Sequence, residues 1–76
     1  MSLLIEGKDF AICLDSICGV YYYESLVVSN KHALSLLLKN VKEPFRINFE
    51  AKVSALKGLK EIRDALRQGN GIVINN

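Results

Sequence analysis

Hydrophobic and polar positions change period once along this chain. In PFRINFE, residues 44–50, Phe45, Ile47 and Phe49 alternate with Arg46, Asn48 and Glu50. That is the period-two pattern of a strand with one buried and one wet face. Pro44 suits the start of such a strand, where it removes no interior ladder bond. From Ala51 to Gln68 the spacing becomes helical. At about 100° per residue, Ala55, Leu59, Ile62 and Leu66 form one stripe, flanked by Ala51, Gly58 and Ala65. The small flankers predict a helix lying close on a sheet, and Gly69 is a natural stop.

Upstream, SLLIEGKDFAICLDSI reads as two short strands about a tight turn at Gly7-Lys8-Asp9. Phe10, Ile12 and Leu14 fall on the inward face, with Ala11 and Cys13 on the other. After Asp15-Ser16 and Gly19 the pattern resumes as VYYYE, in which Tyr21 and Tyr23 share one side and Val20 and Tyr22 the other. Three tyrosines on a strand therefore cannot meet one ligand together. The binding reading narrows to Tyr22 alone or to the pair Tyr21 and Tyr23, beside the plainer reading in which the rings fill structure.

Residues 29–40, SNKHALSLLLKN, admit two readings. Ser29 would cap a helix, but Leu34, Leu36 and Leu38 alternate, and the residues up to Pro44 make a hairpin connection, so a strand is favoured over 30–39. Residues 71–75, GIVIN, are β-branched enough for a short last strand or else form a tail.

These elements predict one α+β domain over 1–76: a mostly antiparallel β-meander sheet of four to six strands with one C-terminal amphipathic helix packed on one face. Half of the residues, 50%, are hydrophobic, more than one helix roofing one sheet can shelter. Leu37, Val27, Val28 and Leu56 are left needing a second cover. The expectation is self-association, as a dimer, or an obligate protein partner.

Formal net charge is +2, too small to argue for nucleic acid unaided. Its distribution is uneven. Residues 1–30 carry one positive and four negative charges, hence −3, and residues 31–76 carry nine positive and four negative, hence +5. On the helix, Lys52, Leu56, Lys60, Arg63 and Arg67 occupy one shoulder, while Lys57, Glu61 and Asp64 occupy the other. An exposed leucine ringed by cations is a docking surface for an acidic partner; a charged face that only confers solubility is the plainer alternative.

Candidate chemistry is sparse. Cys13 and Cys18 stand at C-x4-C spacing, outside the usual zinc pairs, with His32 the single histidine, so no metal is expected and the cysteines are read as reduced, buried small hydrophobes. Gly69-Asn70-Gly71 closes a helix instead of opening one and so reads as a turn, not a phosphate cradle. No nucleophile setting is recognisable, and neither an enzyme nor a cofactor is expected. With no apolar run long enough to span a bilayer and no signal-peptide pattern, a cytoplasmic location is expected.

In LLIEGKDFAICLDSICGVYYYE and LLLKNVKEPFRINFEAKVSALKGLKEIRDAL the chain resembles small phage, prophage and accessory-gene proteins that share a short β-meander followed by one amphipathic helix. The resemblance is one of pattern and transfers no catalytic residues. It implies a non-catalytic inhibitor, of the anti-CRISPR or wider anti-defence kind, that binds and occludes a host protein. The partner-binding residues on this reading are Lys52, Leu56, Lys60, Arg63, Arg67 and Tyr22. Two alternatives accompany it: a small nucleic-acid-binding protein using the same cations with the tyrosines, and a small-ligand or enzyme site completed at a dimer interface.

Overall fold

A computed structural model describes residues 3–24 and 32–74. Val27 and Val28, expected to need a cover, lie outside the described residues. The described elements run β1 (Leu4–Glu6), β2 (Ala11–Cys13), a 3-10 turn (Leu14–Ser16), β3 (Ile17–Glu24), β4 (His32–Leu38), β5 (Phe45–Phe49), α1 (Lys52–Gln68) and β6 (Ile72–Val73).

The fold is α+β, but the single sheet expected from the sequence is divided. Its strands form two three-stranded sheets, ordered β2-β1-β6 and β3-β4-β5, so neither reaches four strands. The 3-10 turn supplies the break: Leu14 is buried there, and strand geometry resumes only at Ile17. The second sheet is an antiparallel meander, with Tyr22 opposite Leu34 and Leu34 opposite Ile47. In the first sheet β1 pairs antiparallel with β2 and parallel with β6, where Ile5 faces Ile72. Residues 71–75 thus contain a true strand at 72–73, and the helix is not the last element.

Local sequence explains the joints. Gly7 donates its N–H to the Phe10 carbonyl at 2.8 Å and closes the first hairpin. Residues 32–38 are a strand, the favoured of the two readings, and Asn40 turns the chain toward β5 at φ 62°. Asparagine tolerates that left-handed backbone better than most residues. Gly69, at φ 73°, ends α1 by donating to the Ala65 carbonyl at 2.8 Å.

The helix roofs the second sheet along a line displaced from the predicted one. Ala55, Gly58, Ile62 and Ala65 are buried, whereas Leu59 and Leu66 are half-buried on the flank. The small residues face the sheet because they let the backbone come close: a Cβ built on Gly58 would stand 3.0 Å from the Phe49 ring and 3.2 Å from a Leu34 methyl. Ile5, Leu34, Leu36, Ile47, Ile62 and Ile74 complete a core shared by both sheets and the helix. Phe10 and Ile12, assigned inward, are half-buried against that core, with the Phe10 and Phe45 rings 5.2 Å apart.

Both cysteines are exposed, which corrects their assignment as buried hydrophobes. Cys13 alternates to the outer side of β2, and Cys18 sits where the β3 register shifts between Ile17 and Gly19.

One buried polar atom stands out. Ser35 is 1% exposed, and among the described residues its hydroxyl has no hydrogen-bond partner. An unsatisfied buried hydroxyl costs roughly 1–3 kcal/mol, so Ser35→Ala is expected to stabilise the fold. A gain of about 1 kcal/mol would raise Tm by roughly 4–8 °C in a domain of this size. A fall in Tm on calorimetry would mean the hydroxyl is bonded in solution.

Candidate partner-binding surface

The two faces of the β3-β4-β5 sheet differ in what covers them. On the helix side lie Val20 and Tyr22 of β3, Leu34, Leu36 and Leu38 of β4, and Phe45, Ile47 and Phe49 of β5. The far side carries Tyr21 and Tyr23 of β3, Ala33, Ser35 and Leu37 of β4, and Arg46 and Asn48 of β5. Of these, Tyr21, Tyr23 and Leu37 are exposed, while Ala33 and Ser35 are buried.

Cross-strand rows explain its relief. Tyr21, Ser35 and Arg46 form one row, and Tyr23, Ala33 and Asn48 the next. Arg46 reaches diagonally, and its guanidinium lies 5.4 Å from the Tyr23 ring centroid, a cation–π contact across the small central residues. Ala33 and Ser35, in the middle of these rows, are buried. The rim stays open, with Tyr21, Tyr23 and Leu37 each 44% exposed.

Above the sheet, the sides of α1 are placed by what they touch. Ser54, Lys57, Gly58 and Glu61 line a cleft of about 190 Å³ with Phe49 and Ile74, so that flank faces β5 and β6. The opposite flank therefore overhangs β3, with which α1 is also in contact. There Leu59 and Leu66 fill the wedge between helix and sheet, and outside them come Lys52, Leu56, Lys60, Arg63 and Arg67, within about 80° of arc. All five are exposed, which places the sequence-predicted shoulder in one band along the β3 side.

Tyr22, the sixth predicted residue, lies on the row under the middle of the helix, since Gly58 approaches Leu34 and Leu34 pairs with Tyr22. It is half-buried at the foot of the basic flank. Its hydroxyl shares a 2.8 Å hydrogen bond with Nδ1 of His32, and Oε1 of Glu24 stands 3.9 Å from the same nitrogen. The Tyr22 and His32 rings stack at 6.2 Å between centroids. Sequence reading misses this trio, which requires the register that sets Glu24 opposite His32 and makes Tyr22 its diagonal neighbour.

Desolvation, and then the Glu24 carboxylate, raise the Tyr22 phenol above its ordinary pKa of 10.0. Because the folded value exceeds the unfolded one, the phenol's effect on stability is constant at lower pH, and stability falls once the pH passes 10.0 and the unfolded phenol ionises first. Titration of phenolate absorbance on the native protein is expected to find one tyrosine ionising last, and the Tyr22→Phe variant to lack that step.

Tyr21 and Tyr23 lie across the sheet from the helix cations, so the composite of rings and cations that nucleic-acid binding would use is not assembled on one face. Joining the two faces is the outer edge of β3, which among the described residues pairs with β4 alone. Among the described residues no helix is long and apolar enough to cross a membrane. No protein-family model, curated protein or solved structure matches the chain.

Proposed function

We propose that this chain is a non-catalytic protein-binding module. One observation carries the reading: an edge strand is bounded on one face by exposed aromatic side chains and on the other by a cationic helix flank. Rings and arginines are the side chains that most often dominate the energetics of protein interfaces. The setting implied by the sequence pattern, a phage-type inhibitor occluding a host protein, suits a surface of this kind, which acts by coverage and needs no chemistry.

The test is affinity capture from lysate of the source cell with three immobilised proteins: wild type, Tyr21→Ser with Tyr23→Ser, and Arg63→Ala with Arg67→Ala. The wild type is expected to retain a protein that both variants lose while keeping native circular dichroism. Retention of nucleic acid in place of protein, lost at raised salt and on removal of the two arginines, would replace this reading with the nucleic-acid one. Identical profiles for all three proteins would remove both.

A further inference from the structure

We propose that the outer edge of β3 accepts an extended, acidic strand of a partner protein, which joins the sheet as a fourth strand beside β3. The inference rests on the protein-binding reading and specifies the partner's chemistry.

The two edges of this sheet are protected differently. β5 follows Pro44 and carries Arg46 as its second residue; proline and charge are devices that keep an edge from pairing. Among the described strands β3 is the longest, 8 residues, and Ile17 to Tyr23 includes neither charge nor proline. Its one irregularity, at Cys18, is confined to the start, so Gly19 to Glu24 run in regular register with β4. Every other residue of that stretch directs its backbone N–H and C=O away from β4. These groups alternate donor with acceptor. A peptide strand answers both, whereas a phosphodiester backbone offers acceptors alone.

Side chains of an added strand would point alternately to the two faces. Toward the helix they would meet the flank carrying Lys52 and Arg63, which favours Asp and Glu. Toward the far face they would meet Tyr21 and Tyr23, which favours apolar or β-branched residues. A second copy pairing β3 with β3 about a two-fold axis would set two such cationic flanks side by side, and like charges so placed oppose association. Charge complementarity therefore selects an acidic strand over a second copy.

The experiment is amide NMR on the labelled full chain, titrated with synthetic peptides of the same length as β3. One alternates Glu with Val, one alternates Lys with Val, and two are Glu/Val peptides N-methylated at alternate residues in either register. The Glu/Val peptide is expected to shift the amides of Gly19 to Glu24 and to bind at least about tenfold more tightly than the Lys/Val peptide. That preference should shrink with added salt and in Lys52→Ala with Arg63→Ala, and one methylated register should abolish binding. Equal affinity for both charges, shifts confined to α1, or no shift with any peptide would overturn the proposal. So would broadening of the β3 amides with protein concentration alone, the mark of a second copy. If these fail while capture still depends on Tyr21 and Tyr23, the acidic strand falls and the protein-binding reading stands.

Discussion

Leu34→Ala is expected to lower stability by roughly 2–5 kcal/mol, while Leu37→Ala on the same strand changes it by no more than about 0.5 kcal/mol. Leu34 is fully buried at the centre of β4, between Tyr22 and Ile47 and under Gly58 of the helix. Truncating such a leucine removes its transfer free energy and leaves a cavity, for a loss of roughly 2–5 kcal/mol. At about 0.05–0.15 kcal/mol per residue, a chain of 76 residues has about 4–11 kcal/mol in all, and small domains sit toward the lower end. At the lower end of that range one deletion removes about half of the total or more. Leu37, three residues on, is 44% exposed and forfeits little. Urea unfolding followed by circular dichroism checks both, and equal midpoints for the two variants would contradict the burial of β4 described above.

The second large effect is expected at Gly58, where two terms of opposite sign meet. Alanine there gains about 1 kcal/mol of helix propensity over glycine, but its Cβ would press on the Phe49 ring at 3.0 Å and on Leu34 at 3.2 Å. Both contacts are with side-chain ends, which can shift by a few tenths of an ångström. Gly58→Ala is therefore expected within about 1 kcal/mol of the parent. Gly58→Leu has no such relief. Its further carbons would occupy the volume of Phe49 and Leu34, and the helix must lift from the sheet, at an overpacking cost of roughly 1–3 kcal/mol or more. Lifting the helix would also move the cationic flank relative to β3, so the leucine variant should lose both stability and partner binding. The alanine variant should keep both. If leucine is tolerated at parental stability, the close approach of α1 to the sheet is wrong.

Both predictions depend on how far local pattern can be read into tertiary structure. The strand at 45–49, the helix at 52–68 and the turn after Glu6 were legible because each is written in periodicity or turn chemistry within a few residues, whereas 32–38 admitted a helix as well as the strand that forms. So was the contiguity of Lys52, Leu56, Lys60, Arg63 and Arg67, which follows from helical repeat alone. The same logic separated Tyr22 from Tyr21 and Tyr23, because alternation fixes relative faces before any pairing is known.

Alternation cannot say which face a neighbour will cover, nor which strands will pair. The division into two sheets and the parallel pairing of Ile72 with Ile5 join segments far apart in the chain, and nothing in residues 71–75 encodes their partner. Why Leu59 and Leu66 sit on the flank and Gly58 and Ala65 in the centre is likewise settled by the Phe49 ring and Leu34, which occupy the space a larger central residue would need. The site follows the same division. Sequence set a basic band on the helix and rings on a strand; only packing brought that band alongside β3 and left Tyr21 and Tyr23 exposed on the opposite side. The physical reason is range: side-chain direction is a local property of the backbone, whereas coverage is decided by whichever distant surface fits.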